Sequence, residues 1–496
     1  MERWVSSCHG GLMAGLSFIG HDIGRSRRMA PQRPPIDVVS AMPGIAWPAL
    51  PAAPGAALLA LLFQLEGTQW WPAERIARAQ RRQLAALLDH ARTQVPFYAT
   101  RLPAALPDPE DAAAFEAAWR AIPVLTRDEI QAADADESML ADALPPGHGE
   151  YREVFTSGST GRPVRAVRSQ VWELVWSAFT LRDHLWHRRD LTGTMAVIRE
   201  SGHGKAVYPE GDSQQGWGFS SAGLFESGRL ASLNVTTPPD RQAEWLARQD
   251  PDYLLSHPSI LVRLAAECPR PPRLRQVIAI AETLRPAARA AIEAAWGVPV
   301  IDIYSTREAG YLALQCPDHP GHHHIQSEGL RVEVLRDDGT PCAPGETGRV
   351  LVTPLHNLAM PLIRYDIGDA AKVGPPCPCG RGLPVLTRIL GRRQNMLRLP
   401  GGGRRWPLLS SGDLGALVGA VPGLRQYRIV QTALDALRLE IVAPVPLNEA
   451  EVTAAASWAQ AKFGEGFAVE VRHLAELPRS AAGKAEDFVC EVPDNR

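Results

Sequence analysis

A run of small and hydroxylated residues, TSGSTGRP at positions 156–163, follows the apolar end of YREVF and has the make-up of a phosphate-gripping loop. Gly158 and Gly161 let backbone N–H groups close around phosphate oxygens, while Thr156, Ser157, Ser159 and Thr160 add hydroxyl donors. The Walker A pattern describes it less well, because no Gly-Lys pair follows at the required offset and Arg162 precedes a proline. A second constellation is CPDHPGHHHI at 316–325 with CPCG at 377–380. Its three thiols and several imidazoles are the soft and borderline donors that Zn²⁺ prefers. Cys316, Cys377 and Cys379 with one histidine, His324 or His319, would complete a closed Cys₃His set, and an ion without an open position is structural and not catalytic. Each group also has a bland reading, as a flexible Ser/Gly connection and as surface cysteines beside a His-rich loop.

The elements that must position such groups are clearest at 276–304. QVIAIAE reads as a short buried strand, 285–296 as an Ala-rich helix with Pro286 in its first turn and Gly297 just past its end, and VPVIDIY as a second apolar strand. Strand, helix and strand within about thirty residues form a βαβ unit with parallel strands. Glu282 and residues 305–308 then both fall at carboxyl ends of parallel strands, where open α/β sheets bind ligands. Upstream, Leu84, Leu87, Leu88 and Ala91 at helical spacing predict a surface helix packed on a core. After Leu330, LRVEVL, the DDGTPCAPGETG turns and RVLVTPL read as alternating strands and tight turns, and from Gly391 an α+β tail of about a hundred residues follows.

At 496 residues the chain is long enough for several domains, and 52 Lys+Arg against 54 Asp+Glu gives a net charge of −2. That balance lacks the basic excess that would draw it to nucleic acid. Seven cysteines spread thinly over such a length suit a reducing cytoplasm better than a disulfide scaffold. The uncharged stretch 44–63 is interrupted by Pro48, Pro51 and Pro54, so it is expected to pack on the protein, with no stable membrane span. Residues 1–54, rich in Pro, Gly, Ser and Arg, are expected to be a poorly ordered extension.

Seven stretches, in the same order, resemble the adenylate-forming (AMP-binding) enzyme superfamily, in its phenylacetate-CoA ligase-like branch: VPFYATRL at 95–102, TSGSTGRP, IAIAETLRP at 278–286, IYSTREAG at 303–310, MPLIRYDIGD at 360–369, GRRQNML at 391–397 and PRSAAGK at 478–484. The resemblance implies an α/β fold: a large AMP-binding domain with parallel sheets over 55–391 and a small, mobile α+β C-terminal domain over 392–496. It implies that a carboxylate attacks the α-phosphate of ATP to give acyl-AMP, and that a thiol then displaces AMP. Thr156, Ser157 and Thr160 would hold the β- and γ-phosphates, within a loop that includes Gly158, Ser159 and Gly161.

By the same resemblance Glu308 would bind Mg²⁺, Thr306 would touch the α-phosphate, and Tyr304 would stack on adenine beside Ser305 and Glu282. Asp369 would take the ribose hydroxyls, Arg392 the ribose or phosphate side, and Lys484 would be the mobile catalytic cation. Where the family usually has Asp at the domain hinge, this chain has Gln394 and Asn395. The expected function is an ATP-dependent ligase for an aromatic or similar acid, with coenzyme A as acceptor and an acyl pocket drawn from 201–258, His257 included. A carrier-protein thiol, an amine or a sugar is the alternative acceptor, and a zinc-stabilised, non-catalytic binding protein is the reading from another class. Oligomeric state is left open, a homodimer included.

Overall fold

The computed structural model describes residues 38–493 apart from 135, 156–163, 203, 219–220, 222, 402, 408, 410 and 479–485. Two strands, β1 (Tyr151–Phe155) and β2 (Arg165–Ser169), pair antiparallel as a hairpin whose connection, 156–163, is outside the described residues. The strands that follow are β3 (Met195–Arg199), β4 (Asp212–Gln215), β5 (Arg229–Asn234), β6 (Tyr253–Ser256), β7 (Gln276–Ile280), β8 (Val300–Thr306) and β9 (Gly310–Gln315). Then come β10 (His323–Ile325), β11 (Leu330–Leu335), β12 (Thr347–Pro354), β13 (Tyr365–Val373) and β14 (Val385–Arg392). Strands β3 to β14 form one twelve-stranded sheet in the order β11-β12-β13-β14-β10-β9-β8-β7-β6-β3-β5-β4.

Parallel pairing joins β5, β3, β6, β7 and β8, the segment where near-continuous apolar runs call for burial on both faces. From β8 through β9, β10 and β14 to β11 every pair is antiparallel. One link inside the antiparallel half is narrow: β10 has three residues and meets β14 only through His323↔Leu386 and His324↔Val385.

The βαβ unit forms as its residues dictate. Its helix, Pro286–Trp296, begins on Pro286 and ends at Gly297 with φ +65°, the left-handed cap that glycine adopts without steric penalty. Strand β7 ends at Ile280, earlier than its apolar run suggests, because Ala281 takes φ +72° and turns the chain out of the sheet. The helix Ala73–Gln94 buries Leu84, Leu87, Leu88 and Ala91. Ahead of it, the helix Ala53–Thr68 takes up the second half of the uncharged stretch and packs Leu58, Leu62 and Leu65 against the helix Gln170–Trp186. No described helix is long and apolar enough to cross a membrane.

Beyond β14 the chain builds a separate core. Short strands β15 (Leu397–Arg398) and β16 (Arg404–Arg405) lead to β17 (Gln426–Ala433), β18 (Ala436–Val442), β19 (Ala468–Leu474) and β20 (Phe488–Cys490), of which the last four form a sheet ordered β19-β18-β17-β20. The helices Ser411–Ala420 and Glu449–Phe463 contribute Leu417, Ala459 and Phe463 to the same apolar cluster as Ile429 and Leu439. The second helix starts on an Asn448–Glu451 capping box. This small α+β unit meets the large one through an Arg285–Asp487 ion pair, and within it Asn395 donates to Glu486 at 2.6 Å.

Candidate active site and metal centre

The end of β8 and the turn after it present Tyr304, Ser305, Thr306, Arg307 and Glu308 in succession. Pairing with β9 shifts register between Tyr304 and Ser305, so the backbone bulges where the polar residues begin. The Thr306 hydroxyl oxygen accepts from the Ala309 N–H at 3.0 Å, and Gly310 completes the turn with φ +76°. A Cβ on Gly310 would stand 3.2 Å from the Trp172 ring, so glycine is required there twice over. Glu308 is 7% exposed, and no described residue gives its carboxylate a hydrogen bond or ion pair. The charges of Arg168 and Arg392 act on it from nearby, and its oxygens, without a hydrogen bond from any described residue, are the kind of donor Mg²⁺ takes. Glu308 therefore fits the metal role expected of it.

Asp369 comes from the other half of the sheet, in β13, just after Gly368 with φ +79°. Its Oδ2 accepts from the Tyr304 hydroxyl at 2.9 Å, and its Oδ1 stands 3.5 Å from Arg392 Nε on the neighbouring β14. A carboxylate has about four lone-pair positions, so two contacts leave room for a pair of vicinal hydroxyls. Burial, with the charge of Asp369 added, raises the Tyr304 pKa well above its usual value and keeps that hydroxyl a donor. Arg392 also donates to the Ile367 carbonyl, and its pKa is raised first by Asp369 and, less, by Glu308. The residues expected at adenine and ribose are thus joined through Asp369 to one guanidinium, on which the charge of Glu308 also acts.

Glu282 precedes Thr283, which packs so closely on Gly391 of β14 that a Cβ there would come within 2.6 Å of the threonine hydroxyl. The Glu282 carboxylate accepts from the Ser259 N–H at 3.0 Å and the Ser259 hydroxyl at 3.1 Å, and so caps the helix Pro258–Glu267, whose N-cap residue, His257, does not itself cap the helix with its side chain. Any part Glu282 takes at the nucleotide is added to that capping. Thr156, Ser157, Gly158, Ser159, Thr160 and Gly161 lie outside the described residues, as does Lys484.

The cysteine cluster assembles from three elements. Cys316 follows β9, His324 lies in β10, and Cys377 and Cys379 precede β14; their ligand atoms all lie within 4.8 Å of one another. Cys377 Sγ is 3.8 Å from Cys316 Sγ, and Cys379 Sγ is 3.4 Å from His324 Nε2. Two thiolates bound tetrahedrally to one zinc at about 2.3 Å stand about 3.8 Å apart, so the donor set fits that ion. Burial holds the His324 pKa down at about 4, leaving the imidazole neutral as a ligand must be, and its Nδ1 faces the Leu383 carbonyl at 3.4 Å. His319, the alternative ligand, is not in the group: it sits on the partly exposed loop between Cys316 and His322, beside the His322 ring. The tight β9–β10 hairpin brings His324 to the thiols and leaves His319 at its outer end.

Two arginines complete the site: Arg168, which stands out in no sequence pattern, and Arg307, which lies within the IYSTREAG stretch. Arg168 on β2 is 7% exposed, donates through Nη2 to the Arg307 carbonyl, and lies over the Trp172 and Trp176 rings at 4.7 and 4.8 Å. Burial pulls its pKa down to about 10, against the charges of Glu173 and Glu308. Arg307 returns the contact: its Nη1 donates to the Phe155 carbonyl of β1 at 2.9 Å, and its Nη2 pairs with Glu200 after β3.

This architecture is that of the acid–CoA ligases of known structure. A 2-hydroxyisobutyryl-CoA ligase in the postadenylation state, in complex with R3-HIB-AMP, superposes with a TM-score of 0.66 at 19% identity, covering 85% of this chain and 91% of that one. The chain belongs to the AMP-binding enzyme family, whose profile matches residues 77–357. The phenylacetate-coenzyme A ligase of Escherichia coli (strain K12) is 25% identical over 349 residues, 66% of this chain and 74% of that one. The phenylacetate-coenzyme A ligase of Thermus thermophilus is 26% identical over 396 residues, 76% and 83% of the two chains.

Proposed function

We propose that the protein activates a carboxylic acid with ATP and transfers the acyl group to coenzyme A. A carboxylate oxygen of the acid forms a bond to the α-phosphorus, the bond from that phosphorus to the bridging oxygen breaks, and pyrophosphate leaves. The thiol of coenzyme A, giving up its proton, then attacks the acyl carbon of acyl-AMP, and AMP departs with the former carboxylate oxygen. The observation that carries this reading is the chain of contacts from Tyr304 through Asp369 to Arg392, contributed by both halves of the sheet. Asp369 would hold the ribose, Arg392 would oppose negative charge on the phosphate side, and Mg²⁺ bound at Glu308 would screen the triphosphate. An aromatic acid is favoured by the phenylacetate ligases among the relatives.

In this reading residues 55–391 are the AMP-binding domain, and 392–496 move to bring Lys484 across the substrate carboxylate and α-phosphate. Cys316, His324, Cys377 and Cys379 would hold one structural zinc, closed to substrate. The thin spread of seven cysteines along the chain favours a cytoplasmic location.

Pyrophosphate release, measured across aryl and alkyl acids with and without coenzyme A, tests the assignment. Release with an aryl acid and thioester formation with coenzyme A are expected; release that yields no thioester would turn the acceptor toward an amine, a sugar or a carrier-protein thiol. No turnover with any acid, together with no ATP binding by calorimetry, would sink the enzyme reading. K484A should lose adenylation while still making thioester from supplied acyl-AMP, and equal losses in both steps would refute the role given to that lysine.

A further inference from the structure

Arg168 and Arg307 hold one another's surroundings in a reciprocal way. The Arg307 carbonyl is gripped by the Arg168 guanidinium from β2, and the Arg307 guanidinium reaches the last carbonyl of β1, at Phe155. The backbone just before Glu308 is thereby tied to both strands of the hairpin. The plane of Arg168 is fixed in turn by two indoles of the helix Gln170–Trp186, and Trp172 and Trp176 also press on Gly310, two residues past Glu308. Strand β2 is itself anchored, because the Asn357 amide donates to the Val167 carbonyl at 2.8 Å. Among the described residues Arg168 Nε has no hydrogen-bond partner, and the contacts that hold the guanidinium include the Arg307 carbonyl and the two rings.

We propose that Arg168 is the positioning residue for Glu308, acting through the Arg307 carbonyl, and that the Arg168–Arg307 clasp sets where the metal-binding carboxylate stands relative to the β1–β2 hairpin. This rests on the ligase reading above. Arg168 touches no reacting atom in the proposal; it fixes the peptide that aims Glu308. Lysine keeps the charge but lacks the planar fork that stacks on two rings while donating to a carbonyl in its own plane. Arg307 is exposed enough to be replaced without disturbing the core, its side chain being 45% accessible.

The test compares wild type with R168K, R168M and R307A in the full chain. For R168K and R168M the half-saturating Mg²⁺ concentration for pyrophosphate release should rise about tenfold, and calorimetric binding of ATP in the presence of Mg²⁺ should weaken to match. ATP binding without Mg²⁺, and thioester formation from supplied acyl-AMP, should stay within about twofold of wild type. R307A should shift the Mg²⁺ requirement in the same direction by about threefold. Unchanged Mg²⁺ dependence in either R168M or R307A overturns the clasp. Weaker metal-free ATP binding in R168K would make Arg168 a phosphate ligand and overturn the positioning role. Equal losses in both half-reactions would reduce it to a fold determinant. A wild type that binds Mg²⁺-ATP but activates no acid would refute the ligase reading alone, because the binding comparison still decides the clasp; a wild type that binds no Mg²⁺-ATP would refute both.

Discussion

Tyr304 and Asp369 are 65 residues apart, yet one hydrogen bond joins them. With the phenol removed, Asp369 is left to Arg392 alone, and the pull of that cation rotates the carboxylate away from the ribose position. A hydrogen bond to a charged group is worth about 1.5–3 kcal/mol, so Y304F should weaken AMP binding roughly tenfold and D369A by more. Calorimetric titration with AMP checks both, and wild-type affinity in D369A would remove Asp369 from the nucleotide site. These residues were legible in the sequence because their types suit the chemistry and their neighbours follow a family pattern. Arg168 was not, because its partner is a main-chain carbonyl 139 residues away and a carbonyl leaves no mark on composition. The zinc ligands fall between these cases: side-chain chemistry named the thiols, but only the hairpin register could choose His324 over His319.

Among the elements, the βαβ unit was readable because proline, glycine and continuous apolar runs act locally. The helix Ala53–Thr68 was readable only in part, since an uncharged run says that a segment is buried against something and not against what. Its anchor is Arg182, which donates to the Leu65 carbonyl at 2.8 Å and pairs with Glu328 at 2.8 Å, while Glu328 also accepts from Thr68 at 2.8 Å. Burial would raise the Glu328 pKa, but the charge and hydrogen bonds of Arg182 outweigh it and hold the pKa below the usual carboxylate range. A depressed folded-state pKa contributes stability that is complete above the ordinary value, about 4.3, and is lost as pH falls through the lowered one. Acidification below about pH 4 should therefore loosen this helix, seen as faster amide exchange across 53–68, and E328Q should blunt that pH dependence. Breaking the pair with E328A should cost about 3–5 kcal/mol in denaturant unfolding of the large domain, because Arg182 is left buried and uncompensated. An E328A protein as resistant as wild type would remove the anchor.

Across the whole molecule, the parallel half of the sheet gives way to the antiparallel half at β8–β9, β10 is a three-residue link inside the antiparallel half, and the Cys₃His group draws its ligands from beside β9, from β10 and from beside β14. Metal analysis should find about one zinc per chain, the stoichiometry of a single closed site. C379S should lower that content sharply; a metal-free wild type of full stability would dismiss the zinc. The order of losses on chelation is also set by the architecture. Tyr304 is borne by β8 and Asp369 by β13, on opposite sides of β10 in the strand order, so the bond between them spans that narrow link. Nucleotide affinity is then a strain gauge for that seam: a slip too small to change the helix content would already part phenol from carboxylate. An ion that meets no substrate would in this way govern how tightly substrate is held, and stripping it should blunt AMP binding well before the protein unfolds.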